Sequence, residues 1–200
     1  METQPEDVLS FWLGTPSADG SVDPAVQSRW WKKDPAFDAT IRERFGDTVA
    51  LGLAGDLAAW TSTPRGTLAS IIVLDQFTRN IFRDTGAMFS GDARALGLTR
   101  RLLDGGGYAT LLPVERYFAL MPLMHSEELA MQREAVERFK AQAEEVAEAG
   151  RALFAGGADY AAKHAVIVER FGRFPHRNEL LGRTSTAEEI AFLQTPGSSF

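Results

Sequence analysis

Cysteine is absent from the 200 residues. That excludes disulfides, thiol catalysis and thiolate metal sites, and it fits a reducing compartment. Lysine is scarce, with four residues against seventeen arginines. Histidine occurs three times, at His125, His164 and His176. None belongs to an HExxH pattern and no spacing groups them, so no metal is expected. No apolar run approaches the eighteen or so residues of a membrane span. The opening stretch METQPEDVLSFWLG carries acids where a secretory leader carries bases. The expectation is therefore a cytoplasmic protein with no membrane partner. The formal net charge is −6, which repels nucleic acid on average, so no nucleic-acid partner is expected. G-x-S-x-G is missing, and Gly105-Gly106-Gly107 lacks the following Lys-Ser/Thr of a phosphate loop. No cofactor is expected.

Long alternation of apolar and polar residues is missing too, and with it the signal for a sheet. Helical spacing recurs in its place. The composition, 44% apolar and 24% charged, is ordinary for a globular chain. Two hundred residues close one core without a staple, and one domain is expected over residues 1–200. Its class is all-α, an array of antiparallel helix hairpins.

The spacing predicts helices over Glu6–Leu13, Ala25–Lys33, Pro35 to Gly46, Thr48–Trp60, and Thr63-Pro64 to Phe82. Further helices are predicted over Asp92–Leu103, Pro113–Met121, Glu127–Arg151 and Asp159–Phe171. Pro122 is expected to kink or end its helix. A last helix is expected from Ser185, with Glu188 completing a capping box. On the Glu127–Arg151 helix the predicted buried stripe is Leu129, Val136, Phe139, Ala143 and Val146, interrupted by Gln132. On the next, Tyr160, His164, Ile167 and Phe171 share one face.

Three polar stretches stand out against these helices. In LDQFTRNIFR, Asp75 follows Ile71 and Ile72 on the apolar stripe, where a lone carboxylate is costly. Arg79 lies four residues on, the first candidate partner, with Asn80 beside it and Arg83 one turn further. His125 ends the segment MPLMH at a helix break, and Ser126 and Glu127 open the next helix. FGRFPHRN, with its sequel to Arg183, gathers Arg173, His176, Arg177 and Asn178. Gly172 and Pro175 end a helix there, so cations are favourable for capping alone. One cap needs one cation; this loop supplies four and a directional amide. The candidate ligand-binding set is Asp75, Arg79, Asn80, Arg83, His125, Glu127, Arg173, His176, Arg177, Asn178 and Arg183. His164 reads as a core histidine. His176 is expected to tune binding between about pH 5 and 8.

LDQFTRNIFR, MPLMHSEELAMQ and FGRFPHRNELLGRTSTAEEIAFL resemble the signature segments of a bacterial family known as domain of unknown function 924. The similarity runs from Phe11-Trp12 through Leu193. It implies an all-helical, tetratricopeptide-like fold and brings no activity, substrate or catalytic residues. Thr78 stands where the family pattern usually has proline, which puts a strict helix break there in doubt.

The residues support three readings. The first is a binding or interaction module, with an Arg/His-lined pocket for a small anion or a partner's acidic group. The second is an enzyme, with Asp75 or Glu127 beside His125 or His176 as an acid–base pair. The third is ion-pair packing between helices. A concave site favours the first two, and a closed, fully paired network favours the third.

Overall fold

A computed structural model describes residues 3–199 of the chain. Proline sets the rhythm of the helices. Helices α1 (Pro5–Leu13), α2 (Pro24–Trp31), α3 (Pro35–Ala54), α4 (Pro64–Ile71) and α7 (Pro113–His125) each begin on one. There the missing N–H has no intrahelical partner to lose. Asp23, Asp34 and Thr63 cap three of these starts by accepting backbone N–H bonds from Ala25, Ala36 and Gly66. After α4 come a π-helical segment (Ile72–Phe77) and α5 (Thr78–Ile81). The remaining helices are α6 (Asp92–Asp104), α8 (Leu129–Glu145), α9 (Arg151–Phe171) and α10 (Ala187–Leu193). The described residues contain no strand, and the fold is all-α. None of these helices is long and apolar enough to cross a membrane.

From α6 to α9 each helix packs on the next, whereas α1 packs on α4 and α3 on the π segment and α5. An aromatic seam ties the two halves. Phe45 meets Phe77 at 4.9 Å, Phe77 meets Trp12 at 5.7 Å, and Trp12 meets Phe118 at 5.8 Å between ring centroids. Tyr117 continues the seam to Phe139 and Phe154. Burial of each such ring contributes about 1.5–3 kcal/mol. A smaller apolar cluster of Ile167, Val168 and Phe174 takes Leu129, Phe171 and Phe192 against it. It anchors the C-terminal stretch to α8 and α9.

Several boundaries depart from expectation. α3 runs unbroken through Gly46 and Gly52 and ends at Gly55, whose φ is +98°. A helical glycine costs only about 1 kcal/mol, and the apolar face of α3 outweighs that cost. Pro122 lies inside α7 and does not end it. It cannot serve the Phe118 carbonyl, but the neighbouring Ala119 carbonyl accepts from Thr99 Oγ1 at 2.9 Å. The long helix expected over Glu127–Arg151 ends at Glu145, and α9 already begins at Arg151. Gly157 lies inside α9 because a Cβ there would sit 2.5 Å from the Tyr117 ring. On α8 the buried positions are Gln132, Ala135, Phe139 and Gln142. The two glutamines cap the ends of α7: Gln142 donates to the Pro113 carbonyl and Gln132 to that of Met124, each at 2.7 Å. Tyr160 is exposed, unlike its predicted face-mates His164 and Ile167. The last capping box belongs to Thr186 and Glu189, one residue beyond Ser185 and Glu188.

Candidate functional site

Asp75 lies on the π segment, a helical irregularity that recurs at functional sites. The chain stays helical through Thr78, whose Oγ1 donates to the Leu74 carbonyl at 2.7 Å. Thr78 thus continues the helix and satisfies a carbonyl within the widened turn. Gly91 lets α6 approach the same turn, because a Cβ there would fall 2.1 Å from the Leu74 oxygen. That approach sets Asp92, the first residue of α6, against Arg79.

The Asp75 carboxylate is fully buried and three side chains share it. His125 Nδ1 lies 2.7 Å from Oδ1, Arg79 Nη1 lies 3.1 Å from the same oxygen, and Gln76 donates to Oδ2. Burial alone would raise the Asp75 pKa. The charge of Arg79 and the His125 hydrogen bond reverse that and hold the carboxyl well below its usual range. His125 is pushed down by burial and by Arg79, against the pull of Asp75. At neutral pH the pair is then carboxylate and neutral imidazole, with Nδ1–H donating to Asp75. The hydrogen bond to Asp75 is the one His125 makes among the described residues. Nε2 is left as an acceptor.

Arg79 reaches onward to Asp92, with Nη1 2.8 Å from Oδ1 and Nη2 3.1 Å from Oδ2. Arg177 shares that carboxylate through Nη1 at 3.2 Å. Its guanidinium lies between the rings of Phe89 and Phe174, 4.6 and 4.5 Å from their centroids. The Arg177 side chain is 8% exposed, and its Nε is buried without a partner. Burial and the nearby Arg79 push its pKa down to about 10.

The remaining candidates fall into closed pairs. Glu127 accepts from Arg183 Nη1 and Nη2 at 2.7 and 2.9 Å and from the Phe174 backbone N–H at 2.8 Å. Burial would raise the Glu127 pKa, but the hydrogen bonds from Arg183 and Phe174 lower it. Arg183 Nε also donates to Asn178 Oδ1, and Asn178 Nδ2 to Ser185 Oγ. Arg173 grips Glu189 with two bonds at 2.7 and 2.8 Å. Asn80 and Arg83 turn away from the centre toward Asp38 on α3, at 2.7 Å and at 2.6 and 2.8 Å. The His176 ring lies tilted against Phe174 at 5.5 Å, and its pKa is lowered to about 4 by burial and Arg177. That removes it from the pH 5–8 window in which it was expected to titrate. His164, buried as expected, lies 6.3 Å from His125 and 5.4 Å from Phe174, ring to ring.

The three polar segments therefore meet in space. Asp75–His125 joins the first to the second, Arg79–Asp92–Arg177 the first to the third, and Glu127–Arg183 the second to the third. Sequence reasoning missed Asp92 and Asp38. Both sit in first turns of helices, where an acid is explained by the helix dipole alone. It also missed the Phe89–Arg177–Phe174 stack, which no spacing reveals. Two shallow grooves lie elsewhere, one lined by Arg133, Glu134, Glu137 and Arg138 and one by Lys140, Glu144 and Arg151. Neither touches this cluster.

Comparison with known proteins places the whole assembly. No curated protein matches the chain. A solved structure of a protein of unknown function from Agrobacterium tumefaciens superposes with a TM-score of 0.80 at 31% identity, over 95% of this chain and 96% of that one. Residues 8–197 match the profile described as bacterial protein of unknown function (DUF924). That span includes every residue of the cluster, and the chain belongs to this bacterial family.

Proposed function

We propose that the chain binds a small oxyanion-bearing ligand, a carboxylate or a phosphate, at Arg79 and Arg177, beside His125. The observation that carries the reading is Arg177. A guanidinium has five N–H donors, and Arg177 commits one of them, at 3.2 Å, to a carboxylate it shares with Arg79. A buried cation with so little compensation is costly, and its lowered pKa expresses that cost. A bound oxyanion would supply the missing acceptors, and arginine presents its donors in the fork such groups fit. Asp75 and Asp92 hold the two guanidiniums in place and Phe89 and Phe174 fix the plane of Arg177.

The outer pairs read differently. Arg83 and Asn80 with Asp38, Arg173 with Glu189, and Arg183 with Glu127 and Asn178 use their donors on protein acceptors. That closed pairing supports the packing reading for those residues: they clamp α3 to α5, and the C-terminal stretch to the start of α8. The binding reading is confined to the centre.

Thermal shift with inorganic phosphate, succinate and a panel of metabolite acids tests the proposal. A ligand at about a hundred times its dissociation constant adds roughly 2.7 kcal/mol of apparent stability. The expected result is a saturable rise with at least one oxyanion, abolished in Arg177→Met. If no anion stabilises the wild type, or the variant responds equally, the proposal fails.

A further inference from the structure

Resting on that reading, we propose that Asp75 and His125 form a general-base pair that activates water for hydrolysis of a small ester carrying a carboxylate or phosphate group. The geometry is that of a carboxylate-oriented imidazole. Asp75 holds Nδ1–H at 2.7 Å from inside the core, and Nε2 keeps its lone pair. The His125 side chain is 12% exposed while Asp75 is 0% exposed. Nε2 has no partner among the described residues and is not among the buried unpartnered polar atoms, so it is not sealed from solvent. His125 and Arg79 share one oxygen, Asp75 Oδ1. The guanidinium and the imidazole are thus immediate neighbours, as recognition of an anion and attack on an adjoining ester require.

The nucleophile is water. No serine or threonine hydroxyl bonds to His125 among the described residues, and the chain has no cysteine. In the step, Nε2 takes a proton from water as the water oxygen bonds to the acyl carbon. The resulting tetrahedral adduct collapses, the carbon–oxygen bond to the leaving alcohol breaks, and the imidazolium returns the proton to the departing oxygen. The new acid ionises to solvent. Asp75 acts as a positioning residue: it fixes the tautomer and stabilises the transient imidazolium. The π segment places it, since Asp75 is set within the widened turn rather than on a regular helical face.

The test uses the 4-nitrophenyl monoester of terephthalic acid, which carries an anionic group that cannot reach its own ester, and 4-nitrophenyl benzoate, which carries none. The expected result is faster hydrolysis of the anionic ester, reduced about 100-fold or more in His125→Gln, the ordinary range for loss of a general base. The rate should rise on titration of one group below pH 6.5 and stay level above it. Asp75→Asn should lower the rate and displace that pH profile, which a merely structural residue would not do. Should His125→Gln fail to fold, the wild type serves instead. Treatment with diethyl pyrocarbonate should abolish hydrolysis with modification mapped to His125, and hydroxylamine should restore it. Hydrolysis at the buffer rate, or unchanged in His125→Gln, overturns the inference. If succinate still stabilises the chain through Arg177, the binding reading survives that outcome. Equal hydrolysis of both esters, dependent on His125, would retain the base and remove the anion.

Discussion

Replacing Asp75 with alanine probes the centre of the network. The carboxylate is fully buried and accepts from three side chains. Its loss leaves Arg79 with the backbone carbonyl of residue 75 and with one carboxylate, Asp92, whose side chain is 21% exposed and already shared with Arg177. It also leaves His125 Nδ1–H and the Gln76 amide without acceptors, at about 1 kcal/mol or more each. Breaking a buried pair by removing one member costs about 3–5 kcal/mol, the range expected for Asp75→Ala with these lost acceptors included. Asp92→Ala removes an acid at a wetter position, where Arg79 keeps Asp75 but the buried Arg177 loses its one acceptor. It should cost roughly 1.5–3 kcal/mol. Urea unfolding of both variants, with midpoint and slope fitted together, separates a stability change from a change in the unfolded ensemble. An Asp75→Ala loss below about 1 kcal/mol, or one smaller than that of Asp92→Ala, would refute the assignment of Asp75 as the buried keystone.

Acid should weaken the fold in two stages. His164 and His176 have pKa values lowered to about 3 and about 4, and His125 is lowered as well. A histidine depressed in the folded state contributes its full stability above its unfolded value of about 6.5 and loses it as pH falls. Each such group adds up to about 1.4 kcal/mol per pH unit between pH 6.5 and its folded pKa. The depressed carboxyls of Asp75 and Glu127 add to the loss below about pH 4. Urea titrations from pH 7.5 to 4.5 should show a steep decline, and a flat profile would mean these histidines are solvated. Gly157→Ala should destabilise by about 1–3 kcal/mol through overpacking on Tyr117. Gly156→Ala, with nothing within 4 Å of its Cβ, should stabilise by about 1 kcal/mol. Thermal melts of the two decide whether α9 passes Tyr117 as described. Gly91→Ala sets a methyl against the Leu74 carbonyl. It should push α6 off the π segment and alter the Arg79 side-chain NMR resonances, and unchanged resonances would contradict the close approach.

The fold class was legible because proline starts and helical periodicity repeat along the whole chain. Boundaries were less so wherever tertiary packing outweighed local propensity. Gly46 looks like a stop and Gly156-Gly157 fall between two expected helices, yet α3 and α9 pass through them. Pro122 looks like a stop, yet its neighbour's carbonyl finds Thr99 from another helix. Of the cluster, Asp75 with Arg79 could be read from one apolar stripe and a four-residue spacing. The partners of Arg83, Asn80 and Arg177 could not. Asp38 lies forty-five residues from Arg83 and Asp92 eighty-five from Arg177, and no local pattern encodes either meeting. The π segment was equally silent, because no spacing marks a change of hydrogen-bond partner, and Ile72 and Phe77 at its ends keep ordinary helical dihedrals.

The Nε–H resonance of Arg177 in a ¹⁵N–¹H spectrum, assigned by its loss in Arg177→Lys, reports on the centre without an assay of activity. In the ligand-free chain this donor is buried and unpartnered. If the cluster is an oxyanion site, titration with inorganic phosphate or succinate should move that resonance saturably downfield, together with the ring signals of His125. A resonance that stays fixed through the titration while exposed arginine signals respond would contradict an oxyanion site at Arg177.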